Sequence, residues 1–412
     1  MAALTGVFRA PFARYWVSGF LADFGDGIRL AAFPLLAAQV TRSPAAVAAV
    51  TAVQNLPWLA GAGLGVLVDR SDRRRLMVAM DVTRAVVIAG LAVAILAHHA
   101  GLGLIYLTAF ITGTGSALRD TAEVTCIPRL VDPASLEAAN ARVIAGQIAG
   151  NELAGPAAGG WLFGVAAVLP FAVNVGALGI AALLLLTLPS VFRPAGQPTG
   201  PGRAASLGTL RHELAEGLRW LRGHRDVRDV VIAVGVLSAM DAAWIAVLVL
   251  YVLRTLHQRP GTYGLLLVIA AAGGITIGTT GPRITRRLGA WRSLLLAGLA
   301  MAATQTVLGL TGSVAVAAVM LAASSAAWAL FDMTAVTMRQ RQVPAELLGR
   351  ITSLHGTALR GCEALGALGG GAIATIAGIR ATMLIGALPI AVTVCLLAWQ
   401  HRPASAQPTS AS

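Results

Sequence analysis

Lysine is absent from this 412-residue chain, and charged residues of any kind make up only 12% of it. A soluble domain carries about 25% charged residues, so the polar surface a water-exposed fold needs is missing. Cysteine occurs three times (Cys126, Cys362, Cys395), without metal-ligand spacing; neither a disulfide framework nor a thiolate metal centre is expected. His98 and His99 are an adjacent loop pair, too few ligands for a metal site. His355 could titrate near neutral pH, and a hydrogen-bonded structural role is expected for it. The chain has no Gly-Lys-Ser/Thr phosphate loop, so Walker-type ATP coupling is not encoded. Nor does a Ser/His/Asp arrangement stand at a plausible site. No enzyme, cofactor or metal is expected, and the opening MAALTGVFRAPFARYW has no signal-peptide core or cleavage site.

What the chain has is apolar mass: 57% of its residues, mostly Ala, Leu, Val and Ile in long runs. Runs such as Val165 to Leu186, Ser293 to Leu310 and Met383 to Leu397 approach or reach the roughly 18–20 residues a helix needs to cross a bilayer. No apolar/polar alternation appears, so of the two structures that satisfy backbone in lipid the helical bundle is expected and the barrel is not. Spans are predicted near 15–40, 45–68, 76–97, 101–125, 138–164, 166–190, 229–253, 261–283, 293–311, 313–338, 350–378 and 381–399. The expected fold is thus an all-α integral membrane protein of twelve transmembrane helices in two six-helix pseudo-repeats.

The net charge of +13 would suggest nucleic acid in a soluble protein, but position decides otherwise. On the predicted topology 22 of the 31 Arg lie in cytoplasmic segments, four in opposite loops and five in or at the edges of helices. That is the positive-inside bias. It places both termini in the cytoplasm and makes the lipid bilayer the partner, with no nucleic acid and no obligatory protein partner. Matched basic loops, Arg70 to Arg75 after span 2 and Arg283 to Arg292 after span 8, give the two halves one orientation. Shifting the sequence by 211 residues puts Glu152 on Glu363 and GPAAGG (Gly155 to Gly160) on GALGGG (Gly366 to Gly371), which reads as an internal repeat. The units are 1–190, a cytoplasmic linker 191–228, 229–400 and a tail 401–412. Leu207, Leu210, Leu214, Leu218 and Leu221 recur every three or four residues, so the linker should hold an amphipathic helix lying on anionic lipid.

The loop after span 2 reads GVLVDRSDRRR (Gly65 to Arg75). It resembles the cytoplasmic loop signature of the major facilitator superfamily, Gly-x-x-x-Asp-Arg-x-x-Arg-Arg, with Asp72 where many members have Gly. The variant resembles the exporter branch that includes macrolide-efflux and enterobactin-exporter proteins. FGDGIRLAAFPLL in span 1, IPRLVDPASLEAAN before span 5 and HELAEGLRWLRGHRDVR before span 7 resemble it too. The resemblance implies a latch between the halves made by Asp69, Arg70 and Arg73, with Gly65 permitting close helix approach. Gly155, Pro156, Gly159 and Gly160 resemble the superfamily's antiporter Gly-Pro motif, which goes with export. Two upstream glycines of that motif would fall on Asn151 and Arg142, so the register departs there.

Charges inside spans carry the chemistry. At about 1.5 Å rise per residue, Asp26 lies about 18 Å above Arg14, near the midplane, and Glu152, Asp241 and Glu363 sit at comparable depth. Asp23 and Arg29 flank Asp26 on one helical face, so an internal ion pair is expected. Each such charge costs roughly 2.5 kcal/mol or more facing lipid; they should therefore face one another or a hydrated cavity. Spans 1, 4, 5, 7, 10 and 11 carry them, spans 6, 9 and 12 carry none, and Asp81 and Arg84 lie at the start of span 3. This agrees with the superfamily fold, whose helices 3, 6, 9 and 12 face lipid.

A carboxylate desolvated in one state and hydrated in the other can take up and release a proton. Asp26 and Asp241, in the first helix of each half, are the leading coupling candidates, followed by Glu152 and Glu363. Asp23, Arg29, Arg119, Asp332 and Arg360, with Trp16, Trp58, Trp244, Trp328 and Phe331, are candidates to line the substrate cavity. The expected function is a secondary transporter at the cytoplasmic membrane exporting a small amphiphilic compound, with the proton gradient as energy source. A nutrient importer of the same fold and a transport-inactive sensor are the alternatives.

Overall fold

The computed structural model describes residues 10–60, 64, 67–68, 71–132, 135–188, 219–220 and 222–401. Twelve helical elements account for nearly all of them. The first six are α1 (Ala10–Val40), α2 (Pro44–Asn55, followed by a 3-10 turn Leu56–Ala60), α3 (Arg73–Leu96), α4 (Leu102–Cys126), α5 and α6 (Leu169–Leu186). Within α5, Leu136–Gln147, a π-helical segment Ile148–Ala154 and Gly155–Val165 run on as one element. The second six are α7 (Arg225–Leu250, with a π turn Tyr251–Thr255), α8 (Pro260–Leu288), α9 (Ala290–Leu310), α10 (Val314–Gln342), α11 (Ala345–Ile376) and α12 (Ile379–Gln400).

Local chemistry sets the boundaries. Ser43 caps α2 by accepting a hydrogen bond from the Ala46 amide (3.3 Å), with Pro44 at the first helical position. Asp72 caps α3 through the Arg75 amide (3.1 Å). The tight links α8–α9 and α11–α12 turn on Gly289 (φ 80°) and Gly378 (φ 94°), conformations a side chain would disfavour. Each predicted span coincides with one of these helices. The linker helix at 207–221 lies outside the described residues except for 219 and 220, and so does the tail after 401.

The pseudo-repeat is visible in the packing. In the first half α1 packs on α5 and α6, α3 on α6 and α4, and α2 on α4. Adding six to each number gives the contacts of the second half: α7 on α11 and α12, α9 on α12 and α10, α8 on α10. The halves meet through α2 with α11 and α5 with α8, which are again exchanged by the same operation.

The two ends of the bundle differ. At the Arg-poor end, where α1 joins α2 and α7 joins α8, one core runs through both halves: Phe33, Leu36, Phe163 and Phe171 pack with Trp244, Tyr251 and Tyr263. At the Arg-rich end the buried residues divide into separate cores, one around Phe12, Tyr15, Met77 and Leu118, the other around Val230, Leu237, Met301 and Phe331. Among the described residues the halves are joined at one end and apart at the other.

Seven helices are apolar enough to cross a membrane by length and composition alone; α1, α2, α4, α5 and α11 are not among them. These five hold internal charges, breaks or glycines. By contrast α3, α6, α9 and α12 expose large apolar side chains, among them Val86, Leu183, Leu299 and Leu388. A surface of that kind belongs in hydrocarbon.

Candidate functional site

Three helices of the first half close on a line of alternating charge. Arg29 on α1 bonds Asp26 (3.1 Å), Thr112 (2.9 Å) and Ser116 (3.1 Å). Asp26 also pairs with Arg84 of α3. Arg84 faces Asp81 (3.6 Å), Asp81 takes Arg119 of α4 (3.0 Å), and Arg119 pairs with Glu123 (2.6 Å) and donates to the Ser18 carbonyl (3.2 Å). Three guanidinium groups thus alternate with three carboxylates, neutral in sum. Arg29, Arg84, Arg119 and Asp81 are 3% exposed or less, where an unpaired charge would be prohibitive.

The Asp26–Arg29 pair is the one its spacing predicts. Asp81 and Arg84 are the residues sequence reasoning missed: at the start of an apolar, lipid-facing helix they read as interfacial, yet both are 0% exposed. Their own i, i+3 spacing repeats that of Asp26 and Arg29, and it was the signal available. Beside the ladder a small cavity of about 60 Å³ between α1, α4 and α5 is lined by Asp23, Asp120, Glu123, Val143 and Gln147. Among the described residues no cation lies within 4 Å of Asp23 or Asp120.

The second half is sparser. Asp241 of α7 accepts a hydrogen bond from the Trp244 indole (3.0 Å). Arg360 of α11 pairs with Glu363 (3.0 Å) and lies 5.3 Å from the ring centre of Trp58 on α2, reaching across the join between halves. Asp332 and Trp328 are half-buried on α10, and Glu152 is exposed on α5. Three aromatic candidates pack rather than line an open cavity. Phe331 is 0% exposed in the second-half core and Trp244 is 4% exposed in the shared core. Trp16 stacks on Phe20 and donates to the Arg142 carbonyl (2.9 Å), holding α1 to α5.

The Gly-Pro segment has two working faces. Gly155 and Gly159 lie against Gly27 and Ile28 of α1, whereas Gly160 lies against Gly264 and Pro260 of α8, and the Pro156 carbonyl also faces Gly264. Small residues let backbones approach on both sides. The departure in register resolves at one of its two positions, Asn151, and not at Arg142. Gly150 faces Phe20, Asp23 and Phe24 of α1, but it stands five residues before Gly155 instead of four. The π-helical segment absorbs that extra residue, so Gly150 takes the place a regular helix would give Asn151. Pro156, which has no amide hydrogen to offer the preceding turn, follows the same segment.

Of the expected latch, Arg73 opens α3, while Gly65, Asp69 and Arg70 lie outside the described residues.

Over residues 2–411 the chain matches the transmembrane secretion effector family. It is similar to the multidrug efflux pump Tap of Mycobacterium tuberculosis, 26% identical over 397 residues that cover 93% of this chain and 92% of that protein. Tap of Mycolicibacterium fortuitum is 24% identical over 399 residues, 94% and 95% of the two chains. In fold it is similar to the nucleoside transporter NupG (TM-score 0.76, 13% identity, 96% of this chain and 100% of that one). It is also similar to a bacterial homologue of the iron transporter ferroportin in an inward-facing state (TM-score 0.72, 16% identity, 94% and 98%).

Proposed function

The chain belongs to the transmembrane secretion effector family of the major facilitator superfamily, and we propose that it is a secondary transporter exporting small amphiphilic organic compounds by alternating access. Drugs, siderophores and secondary metabolites are the substrate class. The observation that carries this reading is the one-ended join: a core shared by both halves at the Arg-poor end and separate cores at the Arg-rich end. Two halves that pack alike internally and touch through α2–α11 and α5–α8 can rock about those contacts, closing one end as the other opens. The positive-inside rule makes the Arg-rich end cytoplasmic, with both termini there, so the end at which the cores separate faces inward. Likeness over nearly the full length to proteins named as multidrug efflux pumps supports export.

Proton antiport is the proposed energy source. Asp241 supports it as a coupling group: it is half-buried, and a neutral indole is its only hydrogen-bond donor among the described residues. Asp26 sits between two guanidinium groups, an arrangement that suits relaying a charge change between α1, α3 and α4. Glu363 and Glu152 remain second candidates. In everted vesicles Asp241→Asn should abolish proton-driven accumulation of fluorescent amphiphiles without loss of thermal stability, and Asp26→Asn should abolish it with such a loss. Normal pumping by both variants would remove the assignment. Uptake into intact cells that rises with an imposed inward proton gradient would replace the exporter with an importer.

A further inference from the structure

On the outer side of the first half, the start of α3 and the end of α6 leave an open groove of about 430 Å³. Asp72, Arg74, Arg75, Val78, Val82 and Leu186 line it. Arg74 reaches from α3 to α6 and donates to the Leu186 carbonyl, and Arg14 of α1 donates to the next one, Thr187 (3.5 Å). Carbonyls in the last turn of a helix have no partner within it, so these bonds tie the end of α6 to its neighbours and fix one wall of the groove. Arg75 leaves its side chain 81% exposed, 4.0 Å from Asp72. The Asp72 carboxylate is engaged at the helix start, where it accepts the Arg75 amide (3.1 Å). Arg73 adds a third guanidinium to the same turn.

Beyond the arginines the groove turns apolar and continues into the exposed strip of Val82, Val86, Leu183 and Leu186. Arginines at the helix start and valines one and two turns further in match the headgroup and acyl depths of a single leaflet. The positive-inside rule makes that leaflet the cytoplasmic one, which is where anionic lipid lies. A guanidinium fork suits phosphate, and its five donors leave Arg74 free hydrogens beyond the bond to Leu186. Topology-setting charge explains an Arg-rich end, but it does not explain a groove in one half. In the pseudo-repeat α9 and α12 stand for α3 and α6, and there the Trp291 ring stacks on His401 at 3.7 Å. Where the second half places an aromatic stack, the first half has open space between guanidinium groups and apolar side chains.

We propose that the α3–α6 groove is a binding site for an anionic phospholipid, its phosphate held by Arg74 and Arg75 and an acyl chain laid along Val78 and Val82. The site stands independently of the export reading. The test uses the full chain reconstituted in phosphatidylcholine bilayers, with Val82→Trp as the reporter of the groove. Leu299→Trp, as far from the start of α9 as Val82 is from the start of α3, reports the second half. Phosphatidylglycerol and phosphatidylcholine with brominated chains are compared as quenchers of the introduced indole, after subtraction of the quenching seen in the unaltered chain. Phosphatidylglycerol should be preferred by about fivefold or more at Val82→Trp, and by much less at Leu299→Trp. Arg75→Gln should lower the preference at the groove toward one, and Arg74→Gln with Arg75→Gln should abolish it. Arg292→Gln, at the start of α9, should leave it unchanged. Equal quenching by the two lipids at Val82→Trp, an equal preference at both reporters, or a preference that survives Arg74→Gln with Arg75→Gln would overturn the proposal. Should Arg74→Gln fail to fold, Arg75→Gln alone and the comparison of the two reporters decide it.

Discussion

Replacing Asp81 by Asn removes one charge from the middle of the ladder and leaves its shape nearly intact. Asp81 is the acid between Arg84 (3.6 Å) and Arg119 (3.0 Å), and it is 0% exposed. With three cations and two anions remaining, the first half would hold an uncompensated buried positive charge. Removing one partner of a buried pair costs about 3–5 kcal/mol. For a unit of the size of one six-helix half, each kcal/mol lowers the melting temperature by roughly 2–4 °C, so a drop of about 6–20 °C is expected by tryptophan fluorescence in detergent. Arg75→Gln is the control: it pairs only at 4.0 Å with Asp72 and its side chain is 81% exposed, where an ion pair contributes about 1 kcal/mol at most. The double variant Asp81→Asn with Arg84→Gln restores neutrality and should recover a large part of the loss, a non-additivity that neighbours in one network show. A shift under about 2 °C for Asp81→Asn, or strictly additive losses, would refute the ladder as a coupled unit.

Other expectations follow from packing. Gly366 lies against the Ala239 backbone and Gly369 has nothing within 4 Å; Gly366→Ala should cost about 1–3 kcal/mol by overpacking, whereas Gly369→Ala should be neutral or slightly stabilising, read as melting temperatures. Cysteines at Ala45 and Thr375, whose amide and hydroxyl are 3.2 Å apart across the halves, should crosslink under oxidant and arrest transport until reduced; transport that continues with the link formed would sink the rocking mechanism. Deleting Asn151 should leave a folded protein, because it returns the Gly150–Gly155 spacing to that of a regular helix. Deleting Ala157, between Gly155 and Gly159, should not, and gel filtration separates the two outcomes.

The helices, their order and the repeat were legible because a bilayer allows few alternatives: a run of apolar residues between Arg-rich breaks has one use. The Asp26–Arg29 pair was legible from spacing alone. What escaped was anything needing a partner helix. Asp81 and Arg84 show the same spacing, but only the approach of α1 and α4 to α3 makes them interior. Phe331 looked like a cavity aromatic because its helix was assigned to the cavity; which face of α10 turns inward is decided by its packing in the second-half core with residues of α9 and α12 such as Met301 and Val394. The place of Gly150 in α5 was unreadable as a straight helix because one π turn shifts it by one residue.

The halves repeat in packing and not in chemistry, and that asymmetry bears on how the molecule would move. In the first half Arg84 and Arg119 each engage acids from two helices, and Arg29 bonds Asp26 on its own helix and two hydroxyls of α4, so sliding one helix against another would break these buried contacts. That half should move as a block. In the second half the internal acids Asp241 and Glu363 bond within their own helix, to Trp244 and to Arg360. Among the described residues no ion pair joins α7, α10 and α11 to one another. Small adjustments between these helices break no ion pair, so ligand or proton binding in the second half can shift them at low cost, with the first half as the rigid body they move against.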